Sequence, residues 1–383
     1  MVWSARIPEG AQAPAGISPD GGALYFSTDR GLVALDSKAG ARLWNVPGAL
    51  SRYATPLVDS DGTVYTVGGY GHAGLRAYTS TGKQKWSHPE MGTFQSPPVL
   101  TPAGELVAGN YQGEIWRLTR DGEILWSGSV PGHVNGEFGI GPGGEVYAVE
   151  DPGKLHAFGP DGERTWGPLE EYQDQVHIGT GVVATPEGPV LTTGWSSNVH
   201  CRDPRTGQSL WEYSAALGRR RQPGDESGWG NTLLSSTPAL SPDGKTIYVA
   251  GMGGLLTALD RDGNKLWAVE TGLEVPHSGV QVVEDGTIYV GGERPGGVNA
   301  YNPDGELLWS YHTKDPNANA AISVRGNLVY LATSQGEVHA LSADALAHRA
   351  ELQGAGKEEP VPRIEVGEGY VVIGSVRLPR RRG

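Results

Sequence analysis

Cysteine is almost missing: Cys201 is the only one among 383 residues. A single thiol makes no internal disulfide, no Cys-x-x-Cys pair and no structural zinc knuckle, so a disulfide or zinc-stapled scaffold is excluded. Its apolar strand context reads as a buried core thiol. No stretch approaches the roughly eighteen apolar residues of a membrane-spanning helix. The opening MVWSARIPEG has no apolar run of signal-peptide length, so either the protein is cytoplasmic or a leader has been removed. Basic residues are in deficit: 30 Lys and Arg face 43 Asp and Glu, a formal net charge of −13. That balance argues against nucleic acid as a partner, which calls for a basic surface, and against docking on an anionic membrane.

Turn-formers are abundant instead. The 59 Gly and 27 Pro make up about 22% of the chain, where average usage is about 12%. Eleven Trp and fifteen Tyr do not suit a disordered chain. An internal repeat explains both. A Gly stands four residues before a Trp at Gly40–Trp44, Gly82–Trp86, Gly122–Trp126, Gly162–Trp166, Gly207–Trp211, Gly263–Trp267 and Gly305–Trp309, and successive tryptophans lie 42, 40, 40, 45, 56 and 42 positions apart. An eighth copy, VHALSADALAHRAEL, has lost both residues. Upstream of each copy runs a β-branched and aromatic segment such as ALYFS, TVYTVG or TIYVAG, and turn pairs such as Asp61-Gly62 and Asp285-Gly286 separate the segments.

Each repeat therefore reads as four short strands in an up-and-down meander. One such sheet cannot bury both faces, but sheets stacked radially around an axis can, which predicts an all-β fold: a β-propeller of four-stranded antiparallel blades. Residues 1–383 read as a single propeller domain with an insertion loop at about 215–231 and a basic C-terminal tail at 377–383. The recurring Trp is expected to pack between neighbouring blades on the fourth strand. VWSARIP at the start resembles a fourth strand, and PRIEVGEGYVVIGS near the end resembles the first two strands of a blade. Eight blades are expected, or nine if the two termini build one shared extra blade.

These residues resemble the pyrroloquinoline-quinone-like repeat, the blade of quinoprotein dehydrogenases and of BamB-like outer-membrane assembly lipoproteins. The pattern T-P…D-G-T-x-Y-V-G…G-x-x-x-A-L-D…D-G-x-x-L-W is almost intact from Thr237-Pro238 to Trp267. The resemblance covers roughly residues 1–375 and implies a PQQ-like propeller, usually of eight blades, in an exported protein of the periplasm or cell surface. For the dehydrogenases it also implies a calcium-held quinone on the axis, an Asp base and often a vicinal disulfide. One Cys cannot make that disulfide, and no Asp is placed as the base, so no cofactor is expected.

Loops joining strand four of one blade to strand one of the next share a face with the loops joining strands two and three. Binding residues concentrate on loops of a rigid scaffold. The candidates there are Arg52 and Tyr53; Phe94 and Gln95; His133, Asn135 and Glu137; Asp174, Gln175 and His177; His277; and Asp315, Asn317 and Asn319. Neutral imidazole and carboxylate bind zinc, but no tight ligand spacing such as HxH or HExxH is present, and no metal is expected. DPNAN at 315–319 lacks the sixth-position Gly and twelfth-position Glu of a calcium loop. The longest departure from the period, AALGRRRQPGDESGWGN at 215–231, carries Arg219, Arg220, Arg221 and Trp229; over the channel mouth it would suit a carboxylate, phosphate or acidic segment. The smaller loops at 68–74 and 291–297 add Tyr70, His72, Glu293 and Arg294.

The function expected is a non-catalytic scaffold, a monomer, that binds a protein, a peptide or a polar small ligand on the loop face. The alternative is an enzyme at the channel mouth, a lyase or hydrolase of polysaccharide or lactone-like substrates using His133, His177 or His277 as acid or base with Arg52 and Tyr53. A quinoprotein dehydrogenase is the third reading.

Overall fold

The repeat folds as its pattern requires. In this computed structural model blade 1 consists of Gly16–Ile17, Ala23–Thr28, Gly31–Asp36 and Arg42–Pro47, antiparallel in that order. The structure describes residues 1–8, 11–69, 74–151, 153–170, 181–186, 188–193, 198–220, 234, 236–275, 279–293, 295–314, 320–347, 365–367, 370–373 and 376–379. Blades 2 to 7 repeat the plan, with second strands Val64–Val67, Leu106–Gly109, Val146–Asp151, Val190–Thr193, Thr246–Ala250 and Ile288–Glu293. First strands of neighbouring blades touch, those of blade 1 with blades 2 and 8 among them, so they form the inner rim of a closed ring.

Blade 8 is built differently. Its own repeat supplies Ala320–Arg325, Leu328–Thr333 and Glu337–Ser342, and the fourth strand is Trp3–Arg6 from the other end of the chain. Trp3 pairs with Ala340 and Arg6 with Glu337. The ring thus has eight blades, and the N-terminal strand is a part of the eighth rather than an extra. The physical reason is the degenerate eighth copy: without the Gly and Trp of a fourth strand, the chain turns helical over 343–347, and the vacant edge takes VWSAR. Residues 343–383 form a second unit. Within it Glu365–Gly367, Tyr370–Ile373 and Val376–Pro379 make a three-stranded antiparallel sheet, so the expected basic tail begins inside a strand.

The core lies between blades. Tyr25, Leu32 and Ala34 of blade 1 pack with Val64 and Tyr78 of blade 2, and Leu24, Phe26, Val33 and Leu35 pack with Tyr330, Val338 and Ala340 of blade 8. Cys201 is a buried member of the cluster between blades 5 and 6. Most of the repeated Trp side chains have two partners. Within the blade a second-strand Tyr lies against the ring, as in Tyr25–Trp44, Tyr65–Trp86 and Tyr248–Trp267 at 5.6 to 5.9 Å between centroids, a contact worth about 0.5–1.5 kcal/mol beyond burial. Tyr330 takes Trp3 in the same way at 6.1 Å.

Across the interface, Trp3, Trp44, Trp86, Trp126, Trp166, Trp211 and Trp267 each donate the indole N–H to a carbonyl in the next blade's turn between strands three and four, at 2.8 to 3.1 Å. That turn holds the repeat's glycine. At Gly82 φ is +83° and a Cβ would stand 2.9 Å from the ring of Trp44. The Gly-x-x-x-Trp motif looks local, yet its Gly serves the Trp of the preceding blade. Trp309 is also buried, against Tyr289.

Candidate functional site

On the face that carries the loops between strands two and three, the turn at 29–30 of blade 1 meets two interblade connections. The segment 48–56 leads from blade 1 to blade 2, and 92–98 from blade 2 to blade 3. Their backbones are pinned before any side chain is considered. Leu50 N–H donates to the Thr28 carbonyl at 3.1 Å, Ser51 N–H to Val67 at 2.9 Å, and Phe94 N–H to Gly68 at 2.9 Å. Leu50, Ala54 and Phe94 are buried anchors. Gly69 runs so close to this loop that a Cβ would stand 3.1 Å from the Cα of Ser51.

The result is an open pocket of about 420 Å³ lined by Asp29, Ala49, Leu50, Ser51, Arg52, Tyr53, Gly69, Phe94 and Gln95. Volumes of this order are typical of small-ligand sites, about 300–1,000 Å³. Arg52 Nη1 donates to Asp29 Oδ2 at 2.9 Å, and Nη2 donates to the Tyr53 hydroxyl at 3.0 Å. The guanidinium also lies over the Tyr53 ring, 5.1 Å from its centroid. Both ends of the ion pair are partly exposed, so it positions side chains more than it stabilises the fold. Ser51 is buried, and its Oγ has no hydrogen-bond partner among the described residues. Gln95 is buried beside it in the lining.

Four sequence candidates, Arg52, Tyr53, Phe94 and Gln95, are thereby brought together. Asp29 and Ser51 were not singled out by sequence. Asp29 stands in the tight turn between strands two and three of blade 1, a loop class assigned to this face, so the topology could have found it. Ser51 carries no signal that separates it from other loop serines.

The candidates entering blade 4 lie apart from this pocket. His133 stacks on Tyr111 with ring centroids 3.7 Å apart, and its Nδ1–H donates to the Tyr111 carbonyl, leaving Nε2 as the acceptor. Asn135 Nδ2 reaches Asp151 Oδ2 at 3.5 Å. Glu137 Oε2 accepts from Thr237 Oγ1 at 3.1 Å, joining the entries of blades 4 and 6. Desolvation by the surrounding protein raises the Glu137 carboxyl above its ordinary range, and the Thr237 bond partly offsets this. The residue is nonetheless exposed at the surface.

Arg219 and Arg220 form a two-residue strand against Ser214 and Tyr213, on the outer side of blade 5's fourth strand. Their side chains, and Arg221, Trp229, His177, His277, Asn317 and Asn319, lie outside the described residues, as do Tyr70, His72, Arg294 and the Glu293 side chain. Among the described residues no three His, Cys, Asp or Glu side chains come together to hold a metal ion. No helix of the described residues is long and apolar enough to cross a membrane.

One protein family, described as outer membrane protein assembly factor BamB, matches residues 1–121, 73–251 and 221–359. Over 196 residues the chain is 28% identical to the quinohemoprotein alcohol dehydrogenase ADH-IIG of Pseudomonas putida, an alignment covering 44% of this chain and 26% of that enzyme. The chain thus spans about a quarter of the length of that relative. Among solved structures, BamB from Moraxella catarrhalis superposes with a TM-score of 0.56 at 20% identity, covering 79% of this chain and 83% of that one. The computationally designed Ika8 protein superposes with a TM-score of 0.66 at 13% identity, covering 88% and 97%. At such identities the two structures speak for the fold alone.

Proposed function

The chain belongs to the family of PQQ-like β-propellers described as outer membrane protein assembly factor BamB, and from that premise we propose that it is a non-catalytic scaffold whose loop face binds a protein or peptide. One observation carries the reading: a turn of blade 1 and the two interblade connections 48–56 and 92–98, pinned by backbone hydrogen bonds, hold Asp29, Arg52, Tyr53 and Gln95 around one open pocket. Preorganised loops bind with little loss of conformational freedom, and Arg and Tyr are the side chains that most often anchor protein interfaces. The kinship supports a protein partner, because the family's own description is that of an assembly factor. It also supports a place in the periplasm or at the cell surface.

The test is capture of partners by the full chain, compared with Arg52→Glu and Gln95→Ala variants and identified by mass spectrometry. A defined set of proteins held by the parent and lost from Arg52→Glu is the expected result. An identical set for parent and both variants, or turnover of a substrate abolished by a loop-face change, would overturn the reading.

A further inference from the structure

We propose that the pocket between blades 1 and 3 is a subsite for a neutral, multiply hydroxylated ligand, a saccharide ring. The inference rests on the loop face being the binding face and names the chemistry of one place on it. The site's only described charges, Arg52 and Asp29, are paired with each other at 2.9 Å. An anion drawn to Arg52 meets the Asp29 carboxylate, and a cation drawn to Asp29 meets the guanidinium. The chain's net charge of −13 further disfavours anions.

The remaining polar groups are neutral and of both kinds. Ser51 Oγ is a hydroxyl without a partner among the described residues, Gln95 adds a neutral amide to the lining, and the Tyr53 hydroxyl stands beside Arg52. Vicinal hydroxyls, each one donor and two acceptor positions, match such a set better than any singly charged group does. The paired guanidinium and carboxylate have spare N–H and lone-pair directions for two adjacent hydroxyls. Leu50 and Phe94 supply apolar wall, and the Tyr53 ring, 38% exposed with Arg52 over one face, leaves its other face as a flat apolar surface for the C–H face of a pyranose. A hydroxyl buried unpaired weakens the empty protein, and a ligand that satisfies it recovers that loss on binding.

The test uses the full chain with methyl glucoside, a glucan hexaose, glucuronate and sorbitol as probes, read by saturation-transfer NMR and calorimetry. Transfer to the ring C–H protons of methyl glucoside is expected, with a Kd of about 1–10 mM as befits one ring in an open site. The hexaose binding more tightly identifies a polysaccharide end as the source, and equal binding identifies a free sugar. Both support the proposal. Tyr53→Ala should weaken binding about tenfold or more while Tyr53→Phe keeps most of it, since the ring face carries the contact. Ser51→Ala should weaken binding about threefold or more yet raise the denaturation midpoint, because it deletes an unpaired buried hydroxyl.

The proposal is overturned by any of three results: no transfer to a pyranoside at about 50 mM, well above the expected Kd; glucuronate binding more tightly than methyl glucoside; or Tyr53→Ala leaving the affinity unchanged in a variant with parental circular dichroism. Those outcomes leave partner capture intact, so failure of the sugar chemistry and failure of the scaffold reading are told apart.

Discussion

Removing the indole of Trp3 asks whether packing across the seam closes the ring. Trp3 lies on the one strand of blade 8 that the eighth repeat does not supply, paired with Ala340. Its N–H donates to the Ser37 carbonyl of blade 1 at 2.9 Å, a bond worth about 1 kcal/mol net. The ring meets Tyr330 at 6.1 Å and covers Gly40, where a Cβ would stand 2.5 Å from it. A fully buried Trp→Ala change costs about 3–5 kcal/mol. Trp3 is half-buried, so Trp3→Ala should cost about 2–4 kcal/mol. Trp267 has the same two partners in mid-ring, a Tyr and the next blade's Gly305, and Trp267→Ala serves as the reference. Urea denaturation followed by circular dichroism measures both. The seam argument fails if Trp3→Ala costs less than about 0.5 kcal/mol, the scale of an ordinary surface change, while Trp267→Ala costs several.

Three further outcomes follow from the same geometry. Gly82→Ala combines a left-handed φ of +83° with a Cβ 2.9 Å from Trp44, whereas Gly272 has φ +69° and nothing within 4 Å; Gly82→Ala should cost at least about 1 kcal/mol more than Gly272→Ala in urea, and equal costs would contradict the interblade role. Glu137→Gln keeps a partner for Thr237 and removes a charge whose folded pKa is raised by desolvation. A carboxyl raised in the folded state loses its contribution as pH climbs, so the variant should be more stable than the parent at pH 7, with the gain fading below the unfolded value near 4.5; a constant gain across that range would refute it. Burial lowers the His156 pKa from 6.5, against the opposing pull of Glu150 at 2.6 Å. The unfolded chain then takes up protons that the folded one refuses, so stability should fall from pH 7 to 5, and His156→Gln should flatten that slope in paired melts; an unchanged slope would count against it.

The fold was legible because the repeat is mechanical. A Trp that needs a Gly one blade later leaves both residues in seven of the eight copies, and the Tyr that lies under the Trp stands in most second-strand runs. Even the closure had a trace: the eighth copy lacks its Trp, and a Trp stands at position 3. Taking the eighth copy as complete is what kept nine blades open. The site was legible only by loop class. Arg52, Tyr53 and Gln95 were found because the topology sends their segments to one face, but nothing local says that they share a pocket while His133 is taken up by Tyr111. Asp29 and Ser51 are defined by partners twenty or more residues away, or by the want of one, and neither property is written in a neighbouring residue.

The same mechanics explain why binding chemistry collects on one face. In blades 1 to 7 the turn between strands three and four presents a left-handed glycine and a carbonyl to the preceding blade's indole, so side chains added at those glycines collide with a ring. That face is committed to holding the blades together. The connections on the opposite face are held by backbone bonds, such as Ser51 N–H to Val67 and Val182 N–H to Glu137, and by a few buried anchors such as Leu50 and Phe94. Backbone pinning fixes where the chain runs and leaves the side chains free to differ from blade to blade. Hence the Arg52–Asp29 pair exists once, at blades 1 and 2, and the Glu137–Thr237 bond once, between the entries of blades 4 and 6. An eightfold scaffold acquires a singular site only where its repeat makes no demand on side chains, and the loop face is where that condition holds.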